Sequence, residues 1–262
     1  MIELRSACSL DRAERATLFT SAYEGYLLPF AIDEQALASM EENFDLDAEA
    51  SRIAFRDGAP VGLANLGVRG EDAWIGGVGV VPAARRSGVG ETLMRALHEQ
   101  ARERGIRRVW LEVIAENTGA FALYEKLGYR TVRDVEVWSL PAAEDQEPEA
   151  HEVSAAEAQA RIRELRSGRE PWQRADETVV NYGDARGLSI DDAAAVYRQP
   201  GEHVQLLQTA GPAEPLLRTL RRLGTVGVLN LPGDDPAAQA LRSLGATVVV
   251  RQHEMLLELG EH

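Results

Sequence analysis

Short apolar runs bounded by turn residues fill the early part of the chain. Ile2 to Ala7 is the first; Ser51 to Arg56 ends at Asp57-Gly58, Val61 to Val68 at Arg69-Gly70, and Ala73 to Val81 at Pro82. Runs of this length closed by such residues read as strands. The period then changes. Val89, Leu93, Leu97 and Ala101 recur every four residues, predicting a helix from about Gly88 to Arg104 with Gly105 as its C-terminal cap. Earlier helices are expected from near Asp11 and over Asp33 to Asn43, the second following a break at Leu27-Leu28-Pro29-Phe30. After the long helix come a strand (Arg108 to Ile114), a short helix (Thr118 to Leu127) closed by Gly128, and a strand (Arg130 to Leu140). Four strands, a long helix, then strand-helix-strand predict an α/β fold with a mixed sheet flanked by helices, not a doubly wound parallel sheet.

The stretch from Pro141 to Ala150 is acidic and carries two prolines, a linker composition. It divides the chain into an expected first domain over 1–142, a linker over 143–153 and a second domain over 154–262. The second part repeats the order of the first. Leu244-Gly245-Ala246 leads into His253 to Leu259 as Leu127-Gly128-Tyr129 leads into Val135 to Leu140. Val226 to Asn230 resembles the strand Val109 to Val113, and Glu214 to Leu223 resembles the long helix. Matching order and spacing favour a tandem pair over chance likeness between two helix-glycine-strand segments.

Composition narrows the function. Hydrophobic residues make up 45% and charged residues 27% of 262, an ordinary globular balance. A formal net charge of −14 argues against a nucleic-acid partner, which requires a basic face. Cys8 is the single cysteine and the five histidines are scattered, so no metal is expected. No apolar run approaches the ~20 residues of a bilayer span, so no membrane association is expected. The N-terminus lacks a signal-peptide pattern. The expected location is the cytoplasm.

The candidate chemistry lies in Val78-Gly79-Val80-Val81-Pro82-Ala83-Ala84-Arg85-Arg86-Ser87-Gly88-Val89-Gly90-Glu91, which reads as strand, loop and helix start. Glycines at 88 and 90 let backbone amides face a ligand. The helix N-terminus adds unpaired N–H groups and a positive dipole end that favour a phosphate. Arg85 and Arg86 can add ionic hydrogen bonds. A P-loop is excluded because no Gly-Lys-Ser/Thr follows. A nicotinamide-dinucleotide loop of an oxidoreductase stays open, with Glu112 as the acidic residue about 20 positions on, but Leu93 stands where the third glycine belongs.

Arg85-x-x-Gly88-x-Gly90 after Val80-Val81-Pro82 resembles the acyl-CoA loop of the GCN5-related N-acetyltransferase (GNAT) superfamily. Leu111-Glu112-Val113, Asn117, Ala120 and Leu123-Tyr124-Glu125-Lys126-Leu127-Gly128-Tyr129 are similar to its second hallmark, and the likeness covers roughly Ile2 to Leu140. The resemblance implies acetyl-CoA as co-substrate and direct acetyl transfer to a primary amine, on a small molecule or a protein. It implies that Val78, Gly79 and Val80 lie along the pantetheine with the Val80 N–H toward the thioester oxygen, and that Arg86, Ser87, Gly88, Val89 and Gly90 hold the pyrophosphate, with Glu91 next in the helix. Asn117 would bond the pantetheine arm and Tyr124 would protonate the CoA sulfur, with Phe121 on the same helical face. Glu112 is the candidate general base, or else an outward-facing strand glutamate. Tyr23, Glu24 and Tyr26 are candidate acceptor contacts. The acidic set Glu41, Glu42, Asp45, Asp47 and Glu49 would attract a cationic amine or simply stay solvated.

The second half departs from this pattern. Leu207 to Glu214 has no Arg-x-x-Gly-x-Gly, Leu241 stands at the tyrosine position, and Asp234-Asp235 places acid where a phosphate would approach. A non-catalytic second domain is expected, making a pseudo-dimer of tandem domains within one chain that could be monomeric. Glu170-Pro171-Trp172-Gln173-Arg174 is a candidate contact segment or a buried turn. A CoA-binding or sensing protein without turnover is the alternative of a different class.

Overall fold

The fold was analysed in a computed structural model that describes residues 1–27, 31–144 and 150–260. Of the break expected at Leu27-Leu28-Pro29-Phe30, positions 28–30 lie outside the described residues, as do linker positions 145–149. The chain forms two compact units, one of residues 1–131 with 255–262, the other of 132–254. This division differs from the sequence expectation of 1–142 and 154–262. Two long strands cross the unit limits, so the last residues of the chain belong to the first unit.

In the first unit, β1 (Ile2–Ser6), β2 (Arg52–Arg56), β3 (Ala59–Arg69) and β4 (Asp72–Val80) form an antiparallel run, and β5 (Arg108–Ile114) joins β4 in parallel. The last residues of β12 (Thr247–Glu258) lie next to β5, and the Leu259 N–H donates to the Arg107 carbonyl at 2.8 Å. α1 (Arg12–Ala22) starts on a capping box: Asp11 Oδ1 accepts from the Glu14 N–H at 2.8 Å, and Glu14 Oε2 accepts from the Asp11 N–H at 2.9 Å. α2 (Glu34–Asn43) is capped by Asp33. α3 (Val89–Glu103) buries Val89, Leu93, Leu97 and Ala101, the stripe read from the sequence, and Met94 beside them. With Ala64, Leu66, Val109, Leu111 and the C-terminal Met255 and Leu259, these residues form one core. α4 (Thr118–Lys126) follows β5.

The second unit holds most of β6 (Arg130–Leu140), then β7 (His151–Ser154), α5 (Ala155–Leu165), α6 (Asp176–Tyr182), β8 (Arg186–Ile190), β9 (Ala193–Arg198), β10 (His203–Ala210), α7 (Ala213–Leu223), β11 (Thr225–Pro232) and α8 (Pro236–Ser243). Its strand order is β6-β11-β10-β9-β8-β7, with β10 and β11 parallel and the other resolved pairs antiparallel. Trp138, Tyr197, Leu206, Leu216, Leu220, Val228 and Leu241 fill its core. Each unit is thus a mixed sheet flanked by helices, in tandem order. Among the described residues no helix is long and apolar enough to cross a membrane.

Candidate functional site

The site is built where β4 and β5 part. Their parallel ladder runs only from Asp72↔Arg108 to Trp74↔Trp110, although β4 continues to Val80. Immediately beyond it β4 bulges. Ala64 pairs with Val78 but Leu66 with Ile75, so Gly76 and Gly77 oppose Asn65 alone. Gly77 has φ +135°, and a Cβ there would lie 3.2 Å from the Tyr23 hydroxyl. The two glycines were the available sequence signal for this bulge, since adjacent glycines inside a strand mark a kink or a close approach. The Trp74 indole N–H donates to Glu112 Oε2 at 2.8 Å, tying β4 to β5 at the point of divergence.

After Val80 the chain makes a short turn and enters α3 through Gly88, which has φ +83°. A Cβ at Gly88 would meet nothing within 4 Å, so the helix start opens outward. At Gly90 a Cβ would find ordinary contacts at 3.8 and 3.9 Å, with Leu123 of α4 and Val80 of β4. The start of α3 thus stands beside α4 and the end of β4. Arg86 is also in the left-handed region, φ 58°, and exposed. The Ser87 hydroxyl donates to the Ala84 carbonyl at 2.6 Å and accepts from Arg56 Nη2 at 2.7 Å. Glu91 is ion-paired to Lys126 at 2.6 Å and Arg95 at 2.9 Å, which hold its carboxyl below the usual range.

Arg85 has a role that the sequence did not suggest. Its Nε donates to the Val80 carbonyl at 3.0 Å, and Nη2 donates to the carbonyls of Ala22 at 3.1 Å and Glu24 at 2.5 Å. The guanidinium clamps the end of α1 to the end of β4. That clamp holds the Tyr23–Tyr26 segment above the bulge. Phe19 stacks on Tyr23 at 4.9 Å between centroids, and Tyr23 meets Tyr26 edge-on at 5.0 Å.

Asn117 is the N-cap of α4 rather than a member of its face. Its Oδ1 accepts from the Ala120 N–H at 3.2 Å and its Nδ2 donates to the Tyr26 hydroxyl at 3.1 Å. This brings Tyr26 and Asn117 together across 91 residues of sequence. Phe121 and Tyr124 are half-buried and packed on the first unit's core. Burial pushes the Tyr124 phenol well above its usual pKa, and Tyr26 adds to the shift. Tyr23 is raised for the same reason, with Tyr124 and Tyr26 contributing. Tyr124 also leans on Tyr129, rings 5.9 Å apart, and the buried Tyr129 hydroxyl lies 2.9 Å from His98 Nε2 on α3. Burial, with Arg102 and Arg95 nearby, lowers His98 to about 4, so this pair is neutral at ordinary pH. Sequence reasoning missed His98, Trp74 and Arg56, because only packing joins them to the site.

The expected acidic attractor is largely engaged elsewhere. Glu41 pairs with Arg12 and Arg15, Asp45 with Arg69 at 2.6 Å, and Asp47 with Arg104 at 3.6 Å. Among the described residues no group of three or more histidine, cysteine or acidic side chains is arranged to hold a metal.

The second unit contrasts at each matching point. Gly211 has φ +81°, but a Cβ there would lie 2.3 Å from the Asp192 carbonyl oxygen, so the glycine is packed rather than open. Pro212 precedes α7 without a side-chain cap, and Leu241 is fully buried. Residues 170–174 form a buried turn within that unit.

Residues 17–129 match the acetyltransferase (GNAT) family model. The chain is 39% identical over 59 residues to the ribosomal protein bS18-alanine N-acetyltransferase of Escherichia coli (strain K12), an alignment covering 22% of this chain and 40% of that protein. It is 30% identical over 118 residues to the aminoglycoside N(6')-acetyltransferase type 1 of Salmonella typhimurium, covering 42% of this chain and 81% of that protein. In fold it is similar over its whole length, and the whole length of the other chain, to a tandem GNAT protein from the clavulanic acid biosynthesis pathway, with TM-score 0.63 and 15% identity. The glycine-started helix, the parted strands and the matched sequence agree: the chain belongs to the acetyltransferase (GNAT) family.

Proposed function

We propose that the first unit moves an acetyl group from acetyl-CoA directly to a primary amine. The observation that carries this reading is the open helix N-terminus at Gly88 standing next to α4, which bears a tyrosine that burial keeps protonated. The residues present fit the co-substrate. The outward-facing start of α3 supplies backbone N–H groups for a pyrophosphate at Arg86 to Gly90. Val78, Gly79 and Val80, beyond the end of the β4–β5 ladder, would lie along a pantetheine arm, with the Val80 N–H toward the thioester oxygen, and the second N–H of the Asn117 amide would face it from α4. Acetyl-CoA, when bound, supplies the acetyl group as a thioester.

The protein's own part is positioning and proton management. Backbone N–H groups near Val80 polarise the acyl oxygen. Glu112, oriented by Trp74, takes a proton from the incoming ammonium, directly or through water, so that the amine arrives as a nucleophile. Tyr124 gives its proton to the departing sulfur. The C–S bond breaks as the N–C bond forms, and the proton that the attacking nitrogen sheds on becoming an amide restores the phenol, so the proton count closes over the cycle. The Tyr23–Tyr26 segment, held by Arg85 and Asn117, borders the acceptor side. Relatives named for a protein alanine and for an aminoglycoside support an amine acceptor without choosing between them.

The test is a transfer assay with acetyl-CoA against pooled peptides, aminoglycosides and small primary amines, read by mass spectrometry. Acetylated product is expected from at least one class. CoA binding with no product from any class would overturn transfer and leave a CoA-binding module.

A further inference from the structure

The second unit carries a cavity that the transfer chemistry does not use. Its parallel strands β10 and β11 are in register from His203↔Thr225 to Leu206↔Val228 and then run on separately to Ala210 and Pro232. Crevices at the carboxyl ends of parallel strands are where α/β sheets take ligands. A cavity of about 250 Å³ lies there, lined wholly from within residues 132–254. Its charged lining comprises Arg133, Arg166, Arg169, Glu170, Asp234 and Asp235.

The arginines of the lining share their carboxylates. Buried Glu254 serves both Arg133 and Arg169; Asp176 serves both Arg163 and Arg166, and Arg166 also lies 4.0 Å from Glu170. Behind them Arg174, 1% exposed, bonds Glu170 through Nε at 3.0 Å, while its Nη1 and Nη2 have no partner. Arg133 Nη2 is likewise buried without one. Buried guanidinium nitrogens are normally satisfied, so these leave positive charge uncompensated next to the lining residues Glu170 and Arg133.

The acids are under-compensated too. Among the described residues Asp234 has no ion-pair partner, and Asp235 accepts the Ala237 N–H at 2.8 Å as the cap of α8. Burial raises the Asp235 carboxyl, with Arg174 pulling it down less strongly. A lone anion here would meet the aspartates, and a lone cation would meet the arginines. A molecule bearing both charges satisfies both. The packed Gly211 and Pro212 leave no open amide cradle for a CoA pyrophosphate.

We infer that this cavity binds a small zwitterion of the α-amino-acid class, with its carboxylate against the arginines and its ammonium against Asp234 and Asp235. The site stands independently of the proposed transfer reaction. The full chain is titrated with the common α-amino acids, each alongside its N-acetyl form and its amide, and followed by thermal unfolding and calorimetry. At least one free amino acid raises Tm by a few degrees, because a ligand of the native state stabilises it; its two single-charge forms do not. Asp234→Asn and Arg166→Gln each weaken binding by about tenfold or more, and Asp234→Asn leaves the unliganded Tm unchanged. Gly88→Glu, in the first unit, leaves this binding intact, which separates it from acceptor binding there. No binding by any amino acid, equal binding by a single-charge form, survival in Asp234→Asn, or loss in Gly88→Glu would each overturn the assignment.

Discussion

Tyr124 is where a single proton decides the chemistry. Burial holds its phenol well above the usual range, so it stays protonated through neutral and mildly basic pH, the state that the proposed role as donor needs. Tyr124→Phe keeps the ring and its contact with Tyr129 but removes that proton. We expect turnover to fall roughly 100-fold, a typical share for a general acid, with acetyl-CoA affinity nearly unchanged. Steady-state kinetics with a calorimetric titration checks both halves. His98 makes a pH prediction of a different kind. Its folded pKa is about 4 against an ordinary 6.5, so between these values the unfolded chain binds the extra proton. Stability present at pH 7 is therefore lost as pH falls through that window, by at most about 3 kcal/mol. His98→Gln, which keeps a polar partner for Tyr129 without titrating, is expected to flatten that slope in denaturant melts at pH 7 and pH 4.

At the scale of elements, the site depends on what holds α1 and α4 against β4. Asn117 and Arg85 occupy motif positions that the sequence connected with the cofactor. In the structure Asn117 caps α4 and reaches Tyr26, and Arg85 binds three backbone carbonyls. Their residue types were legible, but their distant partners Ala22, Glu24 and Tyr26 were not, because these lie 61 to 91 residues away in sequence. Lysine cannot reproduce the fork of donors that Arg85 presents. Arg85→Lys is therefore expected to raise KM for the amine several-fold while changing acetyl-CoA affinity little. A tenfold loss of acetyl-CoA affinity in calorimetry would instead make Arg85 a phosphate ligand. The glycine-started helix was readable in advance because Gly88 and the four-residue stripe of α3 are local features. The β4 bulge left only the trace of adjacent glycines at 76 and 77, since a bulge is defined relative to the partner strand.

For the whole molecule, the tandem order was visible as a repeat, but the composition of the units was not. Met255 is fully buried and Leu259 nearly so, both in the core that contains Leu93, Leu97 and Leu111. A substitution near the C-terminus should therefore weaken the unit that bears the candidate site. Met255→Ala is expected to cost about 2–5 kcal/mol, the range for a buried large-to-small change. Amide hydrogen exchange should show the loss of protection in α3, β4 and β5 although the altered residue lies more than a hundred positions away. Unchanged protection there would remove Met255 from that core. The same reasoning predicts that residues 1–142 alone fold poorly, because they lack the strand end that completes the core.

The sequence by itself determined the local features: the strands and helices, the repeat, the glycine-started helix and the candidate tyrosine of α4. These follow from apolar period, capping and turn chemistry, which act over a few residues. Tertiary structure alone decided that Arg85 clamps α1 to β4, that Trp74 holds Glu112, that His98 stands behind Tyr129, and that the end of the chain's last strand completes the first unit's core. Each of these joins residues distant in sequence, and such pairings are selected by packing and by the need to satisfy buried polar groups. The helix start at Gly88 was legible because one backbone conformation there requires a glycine. The company it keeps was not.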